Sequence, residues 1–219
     1  MTLIPWRLKN FVSEHFPLLY HLLQNAGAPA NSAEHWDAAL ERSWDDPIRS
    51  WPGKNALIAT LVRADAAILD VGCGNGSTLR HLQGLGYTDL HGLEISPYAI
   101  RRLGACGINM HSGVLPSIPL PDASFDAVIA SQVLEHIIRR RRFVTEIRRV
   151  LKPGGEAFIF VPDNCLGPID EKEHVIRYNI DTLRKFVSRH FLLINIESIR
   201  DPNHQMPILF AHVQRQSAP

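Results

Sequence analysis

From residue 66 onward, short apolar runs alternate with amphipathic stretches, and this alternation constrains the fold more than any other feature of the chain. Residues 67–71, 90–93, 125–130 and 157–161 read as buried strands, with helix candidates near 76–84, 97–105, 140–151 and 180–189. Strand and helix in alternation require crossover connections, so the sheet is predicted to be mostly parallel, with helices on both faces. Two later runs, 192–196 and 208–213, have no long helix between them and are expected to pair antiparallel at one edge. A chain of 219 residues has room for one such domain with an appendage, and a core of that size needs no disulfide or metal to hold it.

The appendage is the N-terminal stretch 1–62, and 63–219 is the sheet domain. The stretch holds Trp6, Trp36, Trp44 and Trp51, all the tryptophans of the chain. Leu8, Phe11, Phe16, Leu19, Leu22 and Leu23 lie on one face of a helix that Pro17 interrupts. Asn31 and Glu34 have capping-box spacing and predict a second helix over 32–43. The net charge of +1 gives no field favouring nucleic acid. No apolar run approaches the ~20 residues of a membrane span. No charged-then-apolar leader is visible, and Cys73, Cys106 and Cys165 form no C-x-x-C pair. A reducing cytoplasm is the expected compartment, and neither a structural disulfide nor a metal site is expected.

The stretch Ile68-Leu-Asp-Val-Gly-Cys-Gly-Asn-Gly76 runs a buried strand into three alternating glycines and then into a helix. Glycine turns the chain at positive φ and lets a ligand touch bare backbone. The spacing is G-x-G-x-G, not the G-x-G-x-x-G that aims a helix at a pyrophosphate. Asp70 precedes the loop, where a carboxylate is poorly placed for a phosphate and well placed for an ammonium. The second strand ends at Glu94, a position from which a carboxylate accepts both hydroxyls of a ribose. A plain glycine turn and a solvated glutamate are the alternative readings of the same residues.

Taken with Gly92-Leu-Glu-Ile-Ser96, Leu120-Pro-Asp-Ala-Ser-Phe-Asp126, Leu134-Glu-His-Ile137 and Leu151-Lys-Pro-Gly-Gly155, this loop resembles the successive motifs of class I S-adenosylmethionine-dependent methyltransferases. The likeness is strongest to the small-molecule branch that includes the ubiquinone and menaquinone enzymes. It implies a Rossmann-like sheet of seven strands, S-adenosylmethionine as cofactor, and in-line methyl transfer to a small-molecule acceptor. By position, Asp70, Gly72, Cys73, Gly74 and Gly76 would hold the methionine moiety and Glu94 the ribose. Ile95, Gly113, Val114 and Leu115 would border the adenine, and Ser131 and Gln132 would lie beside the methyl group. Val114 departs from the family pattern, which has an acid there to accept the adenine amino group.

His136 and His174 follow the fourth and fifth strands and are the candidate catalytic residues, since a histidine takes a proton from an attacking group near pH 7. A structural role is the alternative for each. Arg139-Arg-Arg-Arg142 with Arg148, Arg149 and Lys152 reads as the solvated face of a helix. The N-terminal stretch, which lacks any cofactor motif, is expected to cover the acceptor pocket, with Trp36, Trp44 and Trp51 as walls; the alternative is that these tryptophans simply fix the stretch to the core. The rival readings are a catalytically silent protein of the same fold that binds a partner, and a nicotinamide oxidoreductase.

Overall fold

The computed structural model describes residues 12, 15, 16, 19, 31–163, 173–204 and 207–216. At its centre lies β1 (Ile68–Val71), whose four residues are all buried because both faces of the strand are covered. It pairs in parallel with β2 (Leu90–Glu94) on one side and β4 (Phe125–Ser131) on the other. β3 (Asn109–Ser112) extends the sheet beyond β2, and β5 (Leu151–Pro162) lies beyond β4. β7 (Ile208–Gln214) runs antiparallel between β5 and the edge strand β6 (Leu192–Ile199). The resulting seven-stranded order is β3-β2-β1-β4-β5-β7-β6, the doubly wound α/β fold expected from the alternation. No helix among the described residues is long and apolar enough to cross a membrane.

Two apolar layers sandwich the sheet. Leu40 of α1 (Ala33–Ser43), Ile58 of α2 (Pro52–Leu61), Leu79 and Leu82 of α3 (Ser77–Gly84) and Leu103 of α4 (Pro97–Ala105) fill one face. Phe143 and Ile147 of α5 (Arg140–Val150) and Leu183 and Val187 of α6 (Ile180–Val187) fill the other. The chain leaves β1 toward β2 and β3, then returns to β4 on β1's opposite side. That reversal opens a crevice at the carboxyl ends of β1 and β4, where this kind of sheet binds ligands.

Several elements depart from expectation in instructive ways. The N-cap of α1 is Ser32, which accepts the His35 N–H at 3.2 Å. Asn31, the expected cap, instead donates its amide to the Glu173 carbonyl at 3.0 Å. β5 begins at Leu151, well before the apolar run 157–161, because Leu151 pairs with Phe125 of β4 and the backbones of Gly154 and Gly155 bond to Arg215. β3 carries no apolar alternation, being a half-exposed edge strand, so periodicity does not reveal it. The helix expected over residues 8–23 falls almost wholly outside the described residues, as does Cys165.

Candidate active site

The ends of β1, β2 and β4 open on a cavity of about 1520 Å³. This exceeds the ~300–1,000 Å³ of an ordinary single-ligand pocket.

The glycine loop shapes one wall. All three of its glycines have positive φ, but they serve different neighbours. A Cβ on Gly76, the N-cap of α3, would lie 2.5 Å from Leu103, so this glycine is required by packing. Among the described residues a Cβ on Gly74 would meet only Leu40, at 3.8 Å, and Gly74 lines the cavity. Gly76 does not face the cavity, in contrast to the role that the motif implies for it.

Glu94 organises the loop from below. Its carboxylate accepts the Gly74 N–H at 2.8 Å, the Ile95 N–H at 2.7 Å and the Ser96 N–H at 3.1 Å. These bonds aim one oxygen at the loop and the other at the start of α4. Asp37 of α1 accepts from the Ser96 hydroxyl at 2.6 Å and from the Tyr98 N–H at 2.7 Å, tying the N-terminal stretch to the same corner.

Asp70 is buried at the end of β1, and facing it is a group that sequence reasoning missed, Lys54 of α2. Lys54 as a whole is 4 % exposed, and its ammonium donates to the Ser131 hydroxyl at 2.8 Å. Burial pushes the Asp70 carboxyl up to about 7, with the Lys54 charge opposing and the Glu94 charge assisting. Burial likewise lowers Lys54 to about 8, against the pull of Asp70 and Asp201. Two opposite charges thus stand half-satisfied in a desolvated crevice. Nothing local marks Lys54 in the sequence. It sits in a helix with no ligand motif, and only the packing of α2 over the sheet brings it to Asp70.

Ile95, Gly113, Val114 and Leu115 line the cavity beyond Glu94, as do Cys73 and Gly72 around the loop. Val114 is 65 % exposed. Gln132 adopts φ +55, a costly conformation for a side-chain-bearing residue, and its amide nitrogen is buried without a partner among the described residues.

At the opposite end, Trp36, His136 and His174 pack edge to face, with ring centroids 5.5 and 4.8 Å apart, and all three line the cavity. The Nδ1 of His136 lies 3.0 Å from the Glu173 carbonyl, which only accepts, so this nitrogen carries a proton. The carboxylate of Glu135 is 1 % exposed and stands 4.0 Å from the Nε2 of His136. Glu135, His136 and His174 bring one donor atom each within 4.8 Å of one another, a convergence that ligand-spacing rules do not detect because His174 is distant in sequence. Trp51 also lines the cavity. Trp44 does not; it is buried in the helical layer against Tyr98 and Arg102. The N-terminal stretch therefore contributes to the cavity wall through Trp36, Trp51 and Lys54.

Comparison with known proteins fits this arrangement. Residues 69–159 match the family model described as a methyltransferase domain. A sterol 24-C-methyltransferase of Gibberella zeae is 34% identical over 102 residues, 43% of this chain and 27% of that protein. The 27-O-demethylrifamycin SV methyltransferase of Amycolatopsis mediterranei is 32% identical over 113 residues, 46% of this chain and 42% of that protein. Residues 69–159 are a methyltransferase domain. The domain spans between about a quarter and a half of the length of these curated relatives. Its fold matches a methyltransferase solved with the Haloferax volcanii Trm112 methyltransferase activator, with a TM-score of 0.74 and 20% identity. That match covers 86% of this chain and 99% of that one.

S-adenosylmethionine is the cofactor of this family, and the residues present fit it. The methyltransferase domain offers the buried Asp70 carboxylate and an open Cβ position at Gly74 for close backbone approach, and the N-terminal stretch adds the buried Lys54 for the other charge of a zwitterionic end.

Proposed function

We propose that the protein transfers the methyl group of S-adenosylmethionine to a hydroxyl of a small-molecule acceptor. The observation that carries the reading is that buried Asp70 and buried Lys54, opposite charges that act on each other, line the same cavity. An α-amino acid end, with one ammonium and one carboxylate, satisfies both charges at once, whereas a nicotinamide dinucleotide presents phosphates and offers neither. When bound, the cofactor supplies a methyl group already activated by a sulfonium.

The protein's task is then binding, alignment and exclusion of water, which together contribute up to ~7–11 kcal/mol. Asp70 takes the ammonium and Lys54 the carboxylate. Glu94 takes the ribose hydroxyls while its bonds to Gly74 and Ile95 keep the loop in register. Ile95 and Gly113–Leu115 border the adenine. Ser131 and Gln132, at the end of β4, lie between the cofactor and acceptor ends.

Trp36 and His174 wall the acceptor end, and His136 is the proton acceptor. Its Nδ1–H is held by the Glu173 carbonyl, so Nε2 receives the hydroxyl proton and the nearby Glu135 carboxylate stabilises the resulting imidazolium. The relatives named above act on a sterol and on a rifamycin, which supports a small-molecule acceptor for this chain as well.

The test is a thermal-shift and calorimetric comparison of S-adenosylmethionine, S-adenosylhomocysteine and NAD, followed by a screen of hydroxylated acceptors with the wild type and His136→Gln. The reading expects the two sulfur nucleosides to stabilise the fold and NAD to leave it unchanged. Binding of NAD in preference would overturn it, and an undiminished rate in His136→Gln would remove His136 from the proton-accepting role.

A further inference from the structure

The connection from β6 to β7 grips the chain just ahead of Lys54 at several points. α2 has no side-chain cap from its own N-cap residue, Trp51. Its cap comes from across the fold: Asp201, itself 2 % exposed, accepts the Lys54 backbone N–H at 3.0 Å. The other oxygen of Asp201 accepts the Asn203 N–H at 3.1 Å, which braces the carboxylate from its own loop. A Cβ on Gly53 would lie 3.0 Å from the Pro202 ring and 3.2 Å from the Asp201 carboxylate, so the connection packs tightly against the first turn of α2. The His204 ring stacks on Trp51, with centroids 3.3 Å apart and planes at 7°. Its Nε2 donates to the Ser50 carbonyl at 3.1 Å.

These contacts all converge on a lysine whose stem has four rotors and whose ammonium is costly to bury. Helix geometry by itself does not send that ammonium into the crevice. It arrives there only if the first turn of α2 is held at one height and one rotation over the sheet. A carboxylate at a helix N-terminus also adds a favourable interaction with the helix dipole.

We propose that the Asp201–His204 clasp is a positioning element for the cofactor's amino-acid end: it caps and anchors α2 from the β6–β7 connection and so holds the Lys54 ammonium against Ser131, where the ligand carboxylate meets it. The inference rests on the cofactor reading given above. It assigns a ligand-selective role to residues at the far end of the chain, more than forty positions beyond the last motif of the methyltransferase pattern.

The experiment is isothermal titration of S-adenosylhomocysteine and of 5′-methylthioadenosine, which has the same adenosine and thioether but no amino-acid end. Wild type, Asp201→Ala, Asp201→Asn, His204→Leu, Lys54→Met and the Lys54→Met/Asp201→Ala double variant are compared. Asp201→Ala is expected to lose about five- to tenfold in affinity for S-adenosylhomocysteine, the scale of a lost helix cap, with 5′-methylthioadenosine unchanged within about twofold. Asp201→Asn keeps an oxygen for the Lys54 N–H and should recover most of the loss. In the double variant the Asp201 change should add nothing to the loss from Lys54→Met. His204→Leu removes the ring stack without touching the buried carboxylate and should give the same selective loss, about threefold, which keeps the test alive if Asp201→Ala fails to fold. Equal losses for both ligands would make the clasp a support for the whole cavity and overturn the proposal, as would wild-type affinities in Asp201→Ala and His204→Leu. If Lys54→Met binds S-adenosylhomocysteine as tightly as wild type, the cofactor reading itself is at fault, and the clasp proposal falls with it.

Discussion

The buried pair Asp70 and Lys54 makes the ligand-free protein's stability depend on pH in a way that can be worked out in advance. An unfolded chain ionises Asp70 near 3.8, whereas the folded chain holds its proton until about 7. Between those values the native state binds one more proton than the unfolded state, so this residue's contribution to stability falls as pH rises. At ~1.4 kcal/mol per pH unit over a window roughly 3 units wide, the loss is on the order of 4 kcal/mol. Lys54 acts in the opposite sense. The unfolded chain keeps that proton to about 10.5 and the folded chain gives it up near 8, so stability recovers as pH rises from 8 toward 10.5. The pair should therefore place the ligand-free protein in a stability trough between about 7 and 8, where both groups are charged. Other groups titrate over the same range, so the effect is isolated as the difference in urea-unfolding free energy between wild type and Asp70→Asn, measured from pH 4.5 to 9. The isosteric variant should gain on wild type steadily from pH 4.5 to 7. A difference that stays flat across that span would show that the carboxyl is not raised by burial, and the account of a strained site awaiting a zwitterion would be wrong.

Four further outcomes follow from the same geometry. Gly76→Val should destabilise the fold by roughly 2–4 kcal/mol in urea unfolding, because it forces a branched side chain into positive φ against Leu103; Gly74→Val should cost less stability but abolish calorimetric binding of S-adenosylhomocysteine. Glu94→Ala should weaken that ligand by ~10–100-fold through its ribose bonds. It should also lower the unfolding free energy by about 2 kcal/mol, since the N–H groups of Gly74, Ile95 and Ser96 lose their acceptor. Val114→Asp should tighten adenosine binding by about 1 kcal/mol in titration calorimetry, and at 65 % exposure the new carboxylate needs no desolvation. Removal of residues 1–54 should abolish affinity for S-adenosylhomocysteine as well as transfer, because Lys54 and the Asp37 bonds to Ser96 and Tyr98 leave with the segment.

That last expectation reverses the one that sequence alone suggests, in which the N-terminal stretch covers only the acceptor. The reversal has a plain cause. A ligand-binding lysine in a helix carries no local signature, and the bond between Asp37 and the start of α4 spans about sixty residues. Trp44 illustrates the same limit: an aromatic residue in a covering segment is as suited to the core as to a pocket wall, and only packing assigns it to the core.

The parts of the protein legible from sequence are those governed by short-range rules. Short unbroken apolar runs mark β1, β2 and β4 because both faces of a central strand are buried, and a 3.6-residue periodicity marks α3 to α6 because burial acts on one face of each helix. Alternate glycines after a buried strand mark the loop because backbone conformation there is decided by the residue itself. Asp70 and Glu94 are readable because they sit at the ends of strands whose ends must share one edge of a parallel sheet. β3 escapes because an exposed edge strand has no buried face to imprint a pattern. Tertiary structure alone decided what Asp70 faces, which glycine of the loop is open to a ligand, and that Nδ1 of His136 holds a proton. It also set the position of Lys54, through a carboxylate 147 residues away. Those outcomes depend on where whole elements come to rest against one another, and that placement is settled by the summed packing of both faces of the sheet rather than by any segment's own sequence.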